Sequence, residues 1–152
     1  MIKHIKCDIF KSGADAILHQ VNCQGVMGSG VAKQVREKYP KAFNGYKKLC
    51  DSYGENRAQL LGTAQYIELG DDKYIVNIFA QDKFGYDGKC YTDYNALKKA
   101  LGNVNWYLTN KTIAIPYLMG SHRGGGDWNT VYKIIKEVFD KNDVLICEYV
   151  GG

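Results

Sequence analysis

Two glycine-rich stretches carry the most chemistry in this sequence. The first is Asn22-Cys-Gln-Gly-Val-Met-Gly-Ser-Gly-Val31, with glycines at 25, 28 and 30. The second is Gly120-Ser-His-Arg-Gly-Gly-Gly126. Glycine reaches φ > 0 and lets the main chain approach a ligand closely. Each stretch follows an apolar run and precedes a helical pattern, and a helix start offers free N–H groups and partial positive charge to an anion. One such loop is equally explained by a tight turn. Two of them together point to a ligand with adjacent anionic groups, such as a diphosphate.

Better-known phosphate motifs do not fit. The chain has no G-x-x-x-x-G-K-[ST], so it carries no P-loop. Gly28-Ser-Gly30-Val-Ala-Lys33 begins like a dinucleotide fingerprint but lacks its third glycine. A nicotinamide-dependent oxidoreductase is a poor second.

The elements that position these loops follow from the hydrophobic pattern. Strands are expected at 2–9, 16–22, 62–69, 74–80, 112–117 and 144–150. Several are continuous apolar runs (YIVNIFA, TIAIPYL), as strands covered on both faces require. Helices are expected at 30–38 and 41–52, broken at Pro40. Two more are expected at 92–108 with Thr92 as cap, and at 127–139 with Asp127 or a neighbour as cap. Such alternation predicts an α/β fold, a three-layer sandwich around a mostly parallel sheet of about six strands. Ligands then bind beyond the carboxyl ends of the strands, where both glycine loops begin.

Composition sets the outer bounds. At 152 residues, 45% hydrophobic and 24% charged, the chain reads as one soluble domain spanning 1–152. No apolar run is long enough to span a membrane, and the start MIKHIKCDIFKSG is too charged for a secretory signal, so a cytoplasmic location is expected. Five scattered cysteines and three histidines show no zinc spacing, so reduced thiols and no metal or cofactor are expected. A net charge of +4 suits an anionic ligand, but dispersed Lys and Arg do not by themselves mark a nucleic-acid surface.

HQVNCQGVMGSGVAKQVREKYPKAFNGY, LLGTAQY, YIVNIFAQDKFGYDGKCYTDYNAL and IPYLMGSHRGGGDWNTVYKIIKEVF resemble, in that order, the segments of macrodomains. The similarity is strongest to the branch holding ADP-ribose 1″-phosphate phosphatases and the terminal ADP-ribose–protein glycohydrolase. It implies a macrodomain sandwich with a mixed sheet, binding ADP-ribose or an ADP-ribosylated protein or nucleic acid. By resemblance, Asp8 and Ile9 read the adenine, while Asn22 and Gln24 hold the distal ribose. Met27, Gly28, Ser29, Gly30 and Val31 wrap the ribose and diphosphate. Ser121, His122, Arg123, Gly124, Gly125 and Gly126 form the second phosphate loop.

The resemblance also implies chemistry. His19 matches a catalytic histidine of the phosphatase-like relatives, although a histidine in an apolar strand also serves as a hydrogen-bonded core residue. Asp127 falls near a catalytic aspartate, although an Asp before a helix is an ordinary N-cap. The glycohydrolase attacks with a lysine where this chain has Gln81, and an amide cannot form that covalent intermediate. Either Lys83, two residues beyond, reaches in or the covalent route is not used, and the second reading is favoured. The expected activity is therefore ADP-ribosyl hydrolysis or 1″-phosphate removal by a non-covalent route, with a non-catalytic ADP-ribose reader as the alternative.

Overall fold

β2 (Ala16–Asn22) and β4 (Lys73–Gln81) run parallel as neighbours within the sheet, and nearly every residue of both is buried. Around them the order is β1-β6-β5-β2-β4-β3, formed by β1 (Ile2–Lys6), β3 (Ala64–Gly70), β5 (Thr112–Pro116) and β6 (Asp143–Glu148). Only β3 runs antiparallel to its neighbour. These relations come from a computed structural model that describes residues 1–122 and 124–150.

Helices cover both faces. Val35, Ala42, Tyr46 and Cys50 of α1 (Gly30–Lys38) and α2 (Pro40–Ser52) pack with Ile17, Val21, Ile75 and Phe79 on one face. Leu97, Leu101, Val104, Val131 and Ile135 of α3 (Tyr94–Tyr107) and α4 (Trp128–Val138) pack with Leu18, Val76, Ile78 and Ile115 on the other. The alternating side-chain directions of the strands divide the core in this way.

Several elements differ from expectation. The first strand ends at Lys6, because Asp8 accepts a hydrogen bond from the Phe10 amide and caps a 3-10 turn, Ile9–Lys11. Asp93, not Thr92, caps α3 by accepting from the Ala96 amide. A 3-10 segment, Gly54–Leu60, was not expected. The last strand stops at Glu148, two residues short of the predicted end. Among the described residues no helix is long and apolar enough to cross a membrane.

Two topological facts place the site. The chain leaves β2 toward α1 on one face and leaves β5 toward α4 on the other. These adjacent strands therefore part at their carboxyl ends, which opens a crevice. The β2–β4 register also slips there, from Val21↔Phe79 to Asn22↔Gln81. Such a bulge re-aims the side chains at the strand end.

Candidate functional site

A cavity of about 200 Å3 lies in this crevice. Its lining runs from β2 (His19 to Asn22) across Gly28 to Ala32, and along Pro116 to Gly120, His122 and Gly124. Gln81, Phe84, Gly85 and Tyr86 close another side.

The first loop is held from beneath. Asn22 Oδ1 accepts from the Gln24 amide at 2.9 Å, and its Nδ2 donates to the Val26 carbonyl at 2.9 Å. The fully buried Tyr46 hydroxyl sits 2.7 Å from the Asn22 carbonyl and 2.8 Å from Oδ1, and it accepts from the Gly25 amide. Burial pushes the Tyr46 pKa up, so the hydroxyl stays a donor. Gln24 donates to the Asp82 carboxylate, and Met27 is buried in the α1–α2 core. Thus Gln24 and Met27 anchor the loop and do not line the cavity, whereas Asn22 does both.

Gly28, Ser29 and Gly30 project from that anchored base. A Cβ on Gly30 would meet nothing within 4 Å, although φ there is +60°. Ser29 occupies the N-cap position of α1 with extended backbone (φ −153°, ψ 163°), yet its side chain makes no cap hydrogen bond. By contrast, Asp93 caps α3 and Asp127 caps α4 through their carboxylates. α1 therefore presents uncapped N–H groups into the cavity, and Val31 and Ala32 line it. A carboxylate at this cap would repel an anion; the serine leaves the position open.

The second loop is built differently. The Gly120 carbonyl accepts from Thr92 Oγ1 at 2.7 Å and from the Gly126 amide at 2.8 Å. The Gly124 carbonyl accepts from the amides of Tyr91 and Thr92. A Cβ on Gly125 would collide with the Lys89 carbonyl, and one on Gly124 would lie 2.5 Å from Thr92 Oγ1. The glycine triplet thus exists so that main chain can pack on residues 89–92. Ser121, Gly125 and Gly126 do not line the cavity, whereas Gly120, His122 and Gly124 do. Arg123 lies outside the described residues.

Gln81 is fully engaged. Its Oε1 accepts from Gln20 Nε2 at 2.8 Å, and its Nε2 donates to the Lys83 carbonyl. Gln20 Nε2 also reaches Thr92 Oγ1, so a chain of amides and a hydroxyl ties the ends of β2 and β4 to the second loop. Lys83 does not line the cavity.

His19 belongs to the lining but is only 2% exposed. Its Nε2 is 2.6 Å from Asn77 Oδ1, Asn77 Nδ2 donates to Gln65 Oε1, and Gln65 Nε2 donates to the Gly45 carbonyl. A main-chain carbonyl only accepts, so it orients both amides and assigns the His19 proton to Nε2. Burial, only partly offset by the Asn77 hydrogen bond, pushes the imidazole pKa down to about 4. His19 Nδ1 is buried with no hydrogen-bond partner. Asp127 is exposed, accepts from the Thr130 amide and hydroxyl, and does not line the cavity. Asp8 and Ile9 lie apart from the lining too, Asp8 capping its turn and Ile9 buried.

Sequence reasoning missed the apolar walls: Val26, Phe84, Tyr86, Tyr117 and Leu118. Tyr117 packs edge-on against Trp128, with centroids 5.3 Å apart. Leu118 holds a left-handed backbone (φ +66°) while its carbonyl accepts from the Ser121 amide. Two aromatic residues in the glycine-flanked FGYDG were the available signal for the Phe84 side.

The chain is similar to curated proteins and to solved structures. A Mycobacterium tuberculosis protein named DNA ADP-ribosyl glycohydrolase is 30% identical over 156 residues, covering 100% of this chain and 43% of that protein. The ADP-ribose 1″-phosphate phosphatase of Debaryomyces hansenii is 30% identical over 101 residues, 56% of each chain. This chain thus spans about half the length of these curated relatives. The solved macrodomain of Mycobacterium tuberculosis DarG superposes with a TM-score of 0.79 at 25% identity, covering 100% of this chain and 99% of that one. The Macro domain family model matches residues 18–135, and the chain belongs to the Macro domain family.

Proposed function

We propose that this macrodomain binds ADP-ribose in the cleft and hydrolyses it from a modified macromolecule, or removes its 1″-phosphate, without a covalent enzyme intermediate. The observation that carries the reading is the uncapped N-terminus of α1, opening into a cavity whose described lining holds no Asp, Glu, Lys or Arg. A diphosphate suits such a place, because main-chain N–H groups and the helix dipole neutralise it without a counter-ion. Phe84, Tyr117 and Leu118 offer apolar surface to the adenosine half. The activities named for the two relatives, one a glycohydrolase and one a phosphatase, both act on ADP-ribosyl bonds or esters and support the hydrolytic part. The engaged amide of Gln81 argues against covalent attack from that position.

Calorimetry with ADP-ribose tests the binding claim. A Kd on the order of micromolar, about −8 kcal/mol, is expected, with adenosine at least about a hundredfold weaker. Absence of heat at millimolar ADP-ribose overturns the reading. Release of ADP-ribose from its 1″-phosphate, from carboxylate-linked protein and from ADP-ribosylated DNA, measured side by side, separates hydrolase from reader.

A further inference from the structure

We infer that His122 is the proton-transferring residue of this cleft; the inference rests on the hydrolase reading above and names the group that would serve it. Hydrolysis adds water across the bond from the anomeric carbon of the distal ribose to its leaving group. The water oxygen bonds to that carbon, and the leaving group departs with the bonding electrons. It takes a proton from an acid, and the attacking water's proton replaces the one donated. A neutral cleft must find that acid somewhere.

The ionisable side chains among the described lining residues are His19, His122, Tyr86 and Tyr117. Only an imidazole changes charge near neutral pH. His19, although in the lining, is 2% exposed and donates its Nε2 proton to Asn77, and burial holds it neutral well below pH 7. Asp127 is engaged in capping α4 and stands outside the lining. His122 is exposed and lines the cavity.

The main chain around His122 fits a delivering role. Gly120 is fixed through its carbonyl by Thr92 Oγ1, and Gly124 through its carbonyl by the amides of Tyr91 and Thr92. His122 stands between those two anchors, which hold its main chain beside the cavity that its exposed side chain lines. A diphosphate held at the α1 terminus would add negative charge nearby and favour the protonated imidazole, the acid form. Arg123 follows in sequence; an arginine keeps its charge across this pH range and does not titrate with the histidine.

Three measurements on the whole chain test the inference. In His122→Gln and His122→Asn, kcat on ADP-ribose 1″-phosphate and on an ADP-ribosylated oligonucleotide should fall at least about a hundredfold, with KM changed less than about fivefold. The neutral-pH limb of the rate profile should vanish, and added imidazole should restore turnover in His122→Ala. By NMR, the His122 ring should titrate at higher pH with ADP-ribose bound, but not with adenosine. Wild-type turnover that His122→Gln leaves intact overturns the His122 role while the hydrolase reading stands. A wild-type chain that binds ADP-ribose and turns over none of these substrates overturns the hydrolase reading and this role with it. An unchanged NMR titration overturns the placement of the ring beside the diphosphate.

Discussion

Replacing Ser29 with aspartate should strengthen the fold and weaken ligand binding at the same position. Ser29 already has the extended backbone of an N-cap but makes no cap hydrogen bond. In Ser29→Asp the carboxylate should accept from the free N–H groups of the first turn, adding about 0.5–1 kcal/mol to stability. For a chain of this size that raises Tm by about 1–4 °C. The same carboxylate opposes a diphosphate. At roughly 6 Å and an effective dielectric of about 40–80, each phosphate is repelled by about 0.7–1.4 kcal/mol. Diverting one N–H bond from a charged oxygen adds about 1.5–3 kcal/mol. The sum, about 3–6 kcal/mol, weakens ADP-ribose binding by at least about a hundredfold. Thermal unfolding without ligand and calorimetry with ADP-ribose read the two effects separately. Affinity within threefold of wild type, in a protein at least as stable, would refute the assignment of the α1 terminus to the diphosphate.

Two further predictions concern stability. His19 has a folded pKa of about 4 against an ordinary 6.5, so the unfolded chain binds more protons between those values. Its contribution is complete above about pH 6.5 and is lost as pH falls toward 4, by at most about 1.4 kcal/mol per pH unit. Urea unfolding at pH 7, 6 and 5 should show a shallower decline in His19→Gln; parallel curves would show that His19 does not cause it. Gly125→Ala should be strongly destabilising, by about 2 kcal/mol or more, because its φ is +68° and its Cβ meets the Lys89 carbonyl. Gly30→Ala meets open space and should lose only about 1–2 kcal/mol for its left-handed φ. Equal losses in the two variants would contradict the different packing of the two loops.

Much of the scaffold was legible along the chain. Continuous apolar runs marked several of the six strands, β4 and β5 among them, and the 3.6-residue repeat of Val131, Ile134 and Ile135 marked α4 together with its Asp127 cap. These are local signals, readable from neighbours within a few residues. The Thr92 cap was misplaced by one residue because Thr92 and Asp93 are both good caps, and only the tertiary fold shows Thr92 reaching Gly120 instead.

The glycine loops show where local reading stops. Sequence alone located both at strand ends and made a diphosphate the natural ligand, because glycine's freedom and a helix start are local properties. It could not separate their roles, since that depends on what each glycine faces. Across the fold, Gly124 and Gly125 meet residues 89–92, while Gly30 meets open space. Burial likewise separates the two histidines of the lining: His19, inside β2, is 2% exposed, while His122, on the loop beyond β5, is exposed. Whether an imidazole can exchange protons is set by solvent and partners from distant segments, Asn77 and Gln65 among them. Those the chain assembles only when β2, β3 and β4 come together.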